Sequence, residues 1–291
     1  MLSKEPTPDQ AEHNAFFPSP YSLAEYVPSR TDFDGANHAV TTATRRKILL
    51  IGADERYLRV ENDRYFSTGN HPIETLLPVL HLQAAGYEIE VATASGNLMK
   101  FELWAFPAED DAVKQAWDRL RPQIENPRRL SDVLENELGD GGDYAAVFIP
   151  GGHGAMINMS GDPVIGETVA WFLKNDRVII TLCHGPAAML AATKDNGDSL
   201  FAGYGICAFP DALDSGANVD IGYLPGPMTW LLSERLRERG VTVFNDDMTG
   251  AVHRDRLVVT GDSPLAANAL GKLAVETLAE AAQGGGAKSA D

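Results

Sequence analysis

The chain has 291 residues, 44% of them hydrophobic, and 24 basic against 41 acidic side chains leave a formal charge of −17. That length can bury a sizeable core in one large α/β domain or two modest ones, and the negative charge opposes tight binding to nucleic acid or anionic membranes. No apolar run approaches the roughly 20 residues of a membrane span, the opening MLSKEPTPDQAEH lacks an export signal, and two cysteines cannot build a disulfide framework, so a soluble cytoplasmic protein is expected.

Residues 1–44 are rich in Pro, Ser, Asp and aromatics and show no sustained period. Phe16, Phe17, Tyr21 and Tyr26 make them too apolar for a free tail, so this extension is expected to pack on the main body. From Arg45 the pattern becomes regular. RRKILLIGA reads as a buried strand, HPIETLLPVLHLQAAG as a helix closed by Gly86, and YEIEVATAS as the next strand. Residues 97–143 interrupt the alternation with aromatics and a charged helix, and read as a cap insertion.

The alternation resumes with the strand YAAVFIPGG, the helix DPVIGETVAWFLKN, the strand RVIITL and the helix GPAAMLAA. GYGICAF, the helix PMTWLLSERLRERG, the strands VTVFN and RLVVTG, and a final helix opened by Ser263-Pro264 complete a body placed at 45–282. QGGGAKSAD, 283–291, reads as a flexible tail. Short Val/Ile-rich strands alternating with helices imply a mainly parallel sheet covered on both faces. About seven strands with a mid-chain turn of unusual chemistry favour an open sheet over a (β/α)8 barrel.

That turn is RVIITLCHGPAAML, which puts Cys183 between a strand and the break Gly185-Pro186. Cysteine in an apolar setting is commonly an inert core residue, and Cys207, inside GYGICAF, is read that way. Cys183 instead lies at the carboxyl end of a strand, where open α/β sheets bind ligands, and at a helix start expected to lower the thiol pKa. His184, next in sequence, is the candidate base, and Asp211, Asp214 and Asp220 are candidates to orient it. Gly151, Gly152 and Gly154 of PGGHGAM can expose backbone N–H groups to an oxyanion. Glu74, in a helix first turn, is either a capping glutamate or a carboxyl beside the thiol, kept protonated by burial.

LCHGPAA, PGGHGA, FSTGNHPIETLLP, CAFPDALD and TGDSPLAANALGKLA together resemble the HchA branch of the ThiJ/PfpI superfamily, and the likeness covers nearly the whole chain, including the NAFFPS start and the insertion with KFELWA. The resemblance implies a flavodoxin-like α/β sandwich with a small added domain, and a homodimer. It implies cofactor-independent glyoxalase III and deglycase activity on methylglyoxal or its adducts with proteins and nucleotides, and stress-related holding of unfolded proteins. It also assigns roles: Cys183 as nucleophile, His184 as base, Asp214 as the third member, Glu74 as the carboxyl beside the thiol. Some members hold zinc through two histidines and a glutamate. The matching positions here are Gln83, Glu88 and Leu120, with His81 one turn away, so no metal is expected.

For a 2-oxoaldehyde these groups suit thiolate addition, with the oxyanion near Gly151, Gly152 and His184, then isomerisation and hydrolysis to the 2-hydroxy acid. Rival readings are a chaperone without catalysis, using the apolar extension, a cysteine peptidase or amidase using the same turn, and a redox-sensing thiol.

Overall fold

The runs KILLIG, YAAVFI and VIITL become three adjacent parallel strands in which nearly every residue is buried, as strands covered on both faces must be. The computed structural model describes residues 1–139 and 142–285. Its main sheet comprises β1 (Lys47–Gly52), β2 (Glu88–Thr93), β3 (Arg128–Arg129), β4 (Tyr144–Ile149), β5 (Val178–Leu182), β6 (Val252–Asp255) and β7 (Val258–Gly261). Their spatial order is β6-β7-β5-β4-β1-β2-β3, and every pair is parallel except β6 with β7. The chain moves outward from β1 through β2 to β3, then returns to β4 on the other side. The switch point therefore lies between β1 and β4, and the crevice at the carboxyl ends is open for a site.

Alternate residues of each strand feed two cores. Ile48, Leu50, Phe148 and Ile180 face α1 (Pro72–Ala84), α2 (Asp111–Glu125) and α4 (Ala267–Gly285). Leu49, Ile51, Val147 and Ile179 face α3 (Pro163–Lys174) and the turns around Met156 and Met189. At about 1.5–3 kcal/mol for each fully buried Leu or Ile, this two-sided burial is the main source of stability. Among the described residues, no helix is long and apolar enough to cross a membrane.

Several elements differ from expectation. GPAAMLAA forms a 3-10 helix over Gly185–Ala191 rather than an α-helix. PMTWLLSERLRERG is helical only over Leu232–Glu238, and Thr242–Val243 of VTVFN pairs with Gly205–Ile206 outside the main sheet. A separate four-stranded sheet joins Thr7–Pro8 and Ala15–Phe17 to the hairpin Tyr57–Val60/Arg64–Ser67. Its turn needs positive φ at Asn62 and Asp63, residue types that tolerate it.

The extension, read at 1–44, is fastened to the body. Ala15 and Phe16 pair with Tyr65 and Phe66, Ser19 Oγ donates to Ile221 C=O (2.7 Å), and Thr31 Oγ1 donates to Asp110 (2.5 Å). Of the insertion expected at 97–143, α2 packs against α1, and β3 extends the sheet edge beside β2. Residues 283–285 of the expected tail continue α4, whereas 286–291 lie outside the described residues.

Candidate active site

Cys183 directly follows β5 with φ +57°, in the left-handed region that is strained for a cysteine. Two backbone hydrogen bonds hold it there: its N–H donates to Gly261 C=O and its C=O accepts from Phe209 N–H, both 2.9 Å. The tight turn does what an extended strand cannot, bringing adjacent side chains together. Cys183 Sγ lies 3.3 Å from His184 Nδ1, and His184 Nε2 lies 2.8 Å from Asp214 Oδ2. With Nε2–H donating to the carboxylate, Nδ1 presents a lone pair to sulfur, a tautomer assigned by the hydrogen-bond network.

Gly151 and Gly152 leave the space this arrangement needs. A Cβ on Gly151 would run into Glu74 Oε2 and Cys183 Cβ. Gly152 has φ +101°, and a Cβ there would collide with Gly69 C=O and His71 N. The Gly152 N–H bears on the thiol, whereas that of Gly151 bears on Glu74.

Glu74 is fully buried in the first turn of α1, and neither carboxyl oxygen has a partner with full hydrogen-bond geometry. Burial drives its carboxyl well above the ordinary range, and burial followed by Glu74 drives the Cys183 thiol up as well. The resting site thus sets a neutral thiol against a neutral acid. The expected lowering of the thiol pKa by a helix start is overturned here, because desolvation dominates and only a short 3-10 helix follows.

Asp214 serves two histidines. His153 Nε2 lies 3.0 Å from Oδ1, where Asn218 Nδ2 also donates at 2.9 Å, and the His153 and His184 rings stand 4.0 Å apart. Burial opposes the Asp214 charge, but the two histidines outweigh it and hold the carboxyl far below its usual range. Burial also opposes charge on His153, yet Asp214 and Glu102 push its pKa upward overall. His184, by contrast, is pushed down to about 4 by burial and then by His153. One proton therefore resides preferentially on His153, and His184 stays neutral, free to accept from sulfur.

All four residues expected at the catalytic centre, Cys183, His184, Asp214 and Glu74, lie together. Of the other loop acids, Asp211 accepts from Ser233 N–H (2.8 Å) and Glu234 N–H (2.7 Å), anchoring the start of the helix Leu232–Glu238, and Asp220 is exposed. Cys207 is buried, with its thiol pushed up to about 11 by burial and Asp262. Sequence reasoning missed His153, although it stands in PGGHGAM, because only the glycines of that turn carried a signal. It also missed Glu102 of KFELWA, a buried carboxyl that accepts from Thr68 Oγ1 (2.5 Å) and His153 N–H (3.4 Å).

The zinc arrangement found in some resembling proteins does not fit these residues. Leu120 is buried apolar, and both His81 nitrogens are engaged, Nδ1 with His38 Nε2 and Nε2 with Asn268 Oδ1, each at 2.8 Å. Among the described residues, His153, His184 and Asp214 form one group whose donor atoms could surround an ion, lying within 4.8 Å of one another. Their hydrogen bonds already join them, so a metal there would dismantle the proton relay. Beside the site lies a cavity of about 260 Å³ with Phe209, Tyr223, Trp104 and Tyr26 among its walls.

Residues 66–208 match the model of the DJ-1/PfpI family. The chain is 53% identical over 283 residues to the protein/nucleic acid deglycase HchA of Staphylococcus aureus strains MSSA476 and JH9, covering 97% of both this chain and each relative. Solved structures share the fold at lower identity. The Rapid Encystment Protein of Francisella tularensis aligns at TM-score 0.67 with 20% identity over 80% of this chain and 99% of its own. Glyoxalase III of Candida albicans aligns at 0.65 with 20% identity over 80% and 98%.

Proposed function

Since the chain belongs to the HchA branch of the DJ-1/PfpI family, we propose that it is a cysteine-dependent enzyme of deglycase and glyoxalase type that converts 2-oxoaldehydes, or their adducts on amines, to 2-hydroxy acids. The observation that carries the chemistry is the contact of Cys183 Sγ with His184 Nδ1, backed by Asp214 and set beside a protonated Glu74.

In this reading Cys183 gives its proton to His184 Nδ1 as sulfur bonds to the aldehyde carbon. The carbonyl electron pair moves to oxygen, which takes a proton from Glu74 and completes a hemithioacetal. Glu74, now a carboxylate, removes the proton from the former aldehyde carbon while the ketone oxygen takes the proton held on His184, giving an enediol; Glu74 then delivers its proton to the ketone carbon and takes the hydroxyl proton of the first carbon, which becomes the thioester carbonyl. The first carbon is oxidised and the second reduced, so no external oxidant or reductant enters. The resulting thioester is hydrolysed by water to the 2-hydroxy acid and the free thiol. Asp214 stabilises the imidazolium, and the Gly152 N–H stabilises the developing negative charge.

A reducing compartment suits the two free cysteines, and the family likeness supports a homodimer. The test is incubation of the purified protein with methylglyoxal alone, following lactate beside Cys183→Ala. We expect the variant to lose at least about 10³-fold in rate. Equal inertness of both proteins, or equal activity, would overturn the assignment.

A further inference from the structure

The cavity beside the site, about 260 Å³ in volume, is roomier than a three-carbon oxoaldehyde needs, and apolar side chains make up most of its wall. Residues of its wall touch the catalytic groups. Phe209 lines it, stacks on the His184 ring at 4.5 Å and donates its N–H to Cys183 C=O at 2.9 Å. Asn218 lines it and donates to Asp214 at 2.9 Å, and Tyr223 lies within electrostatic reach of Cys183 and Glu74. The remaining walls include Ile73, Trp104, Leu213 and Met248.

The polar chemistry of the cavity is sparse. His71, only 8% exposed, lines it with Nδ1 lacking a hydrogen-bond partner, and burial keeps its ring neutral. Its neutral nitrogen, with the Tyr223 side chain on the same wall, suits the second oxygen of a vicinal dicarbonyl. Nothing in the cavity suits a phosphate: the cation on its wall, Arg30, has a side chain 71% exposed and faces Glu109 at 3.5 Å, and Asp32 adds an acid. Sites of this kind, apolar with few convergent polar groups, take apolar ligand bodies.

We propose that the cavity holds the non-reacting substituent of the substrate, and that the preferred substrates are 2-oxoaldehydes bearing an aryl or branched alkyl group on the ketone carbon. This inference rests on the catalytic reading above. A methyl group leaves most of the aromatic wall without a partner, whereas a phenyl ring buries apolar area against it and gains in binding.

The test compares kcat/KM of the full-length protein for phenylglyoxal, followed as mandelate, with that for methylglyoxal, followed as lactate. The expected ratio is at least about tenfold in favour of phenylglyoxal, mainly through KM. Leu265 lines the cavity and is 56% exposed, so replacing it should spare the fold; Leu265→Trp is expected to narrow the ratio by about fivefold or more. A ratio of about threefold or less with lactate formation intact overturns this inference and leaves the catalytic assignment standing. Formation of neither acid overturns both.

Discussion

Around Cys183 the functional groups are fixed by backbone: a left-handed cysteine between two main-chain hydrogen bonds, two glycines without room for a Cβ, and a carboxylate locked by three donors. The segment Tyr26–Asp32, which walls the neighbouring cavity, is held mostly by side chains of other segments. Thirty-one residues into the chain, Thr31 meets Asp110, and the Asp32 C=O accepts from Asn268 Nδ2 at 2.9 Å. The difference separates two jobs. Bond making needs positions good to a fraction of an ångström, which strained backbone and glycine packing supply, whereas an apolar wall needs only shape and can be tethered by a few exchangeable contacts.

Substitutions can break that comparison at either end. The largest effect is expected for Gly151→Ala, whose new methyl would displace Glu74 from the thiol. Activity should fall by about 10²-fold or more, with a loss of roughly 1–3 kcal/mol in denaturant unfolding. Activity within twofold of the parent would show that the turn is not as rigid as its contacts imply.

Asp214→Asn comes next. An amide in place of the carboxylate removes the charge that holds both histidines, and kcat should drop about 10²- to 10⁴-fold with little change in KM.

His153→Phe probes the same relay from its far side, with an expected loss of about tenfold and a shift in pH dependence. His184 must be neutral to accept from sulfur. Its pKa of about 4 keeps it neutral from pH 7 down to that value, and kcat/KM should lack an acid limb near the ordinary histidine pKa of about 6.5. Removing His153 removes a charge that lowers the His184 pKa, so the acid limb should move upward. An unmoved limb in the variant would mean that the two rings titrate independently.

The smallest effect belongs to the wall. Asp110→Ala frees Thr31 and also removes the cap on Val113 N–H (3.1 Å). A loss of about 1 kcal/mol and a KM raised a few-fold, with kcat unchanged, are expected. A fall in kcat comparable to that of His153→Phe would erase the distinction between the two regions.

How much of this could be read in the residues varies by region. The central strands were legible because burial on both faces demands continuous apolar runs, and α1, α3 and α4 because their apolar periods agree with a proline at or just before each start. Cys183 and Glu74 stood out through position: a thiol at a strand end, and a carboxyl in a helix first turn. The hairpin Tyr57–Ser67 was missed because its turn lacks the Asn-Gly signature, and the helix after Met228 was begun too early because Pro227 reads as a first-turn proline, whereas the chain becomes helical only at Leu232.

The sequence alone determined the order of the central strands and of the helices that cover them, the two-faced core and the place of Cys183 at a strand end, since each depends on local periodicity and chain order. Family likeness singled out Asp214 among three loop acids. Tertiary structure decided the rest: the neutral thiol, the second histidine on Asp214, the buried Glu102 and the apolar cavity. Each arises where segments distant in the chain exclude water together, and desolvation is a property of the assembled site that no single stretch of residues carries.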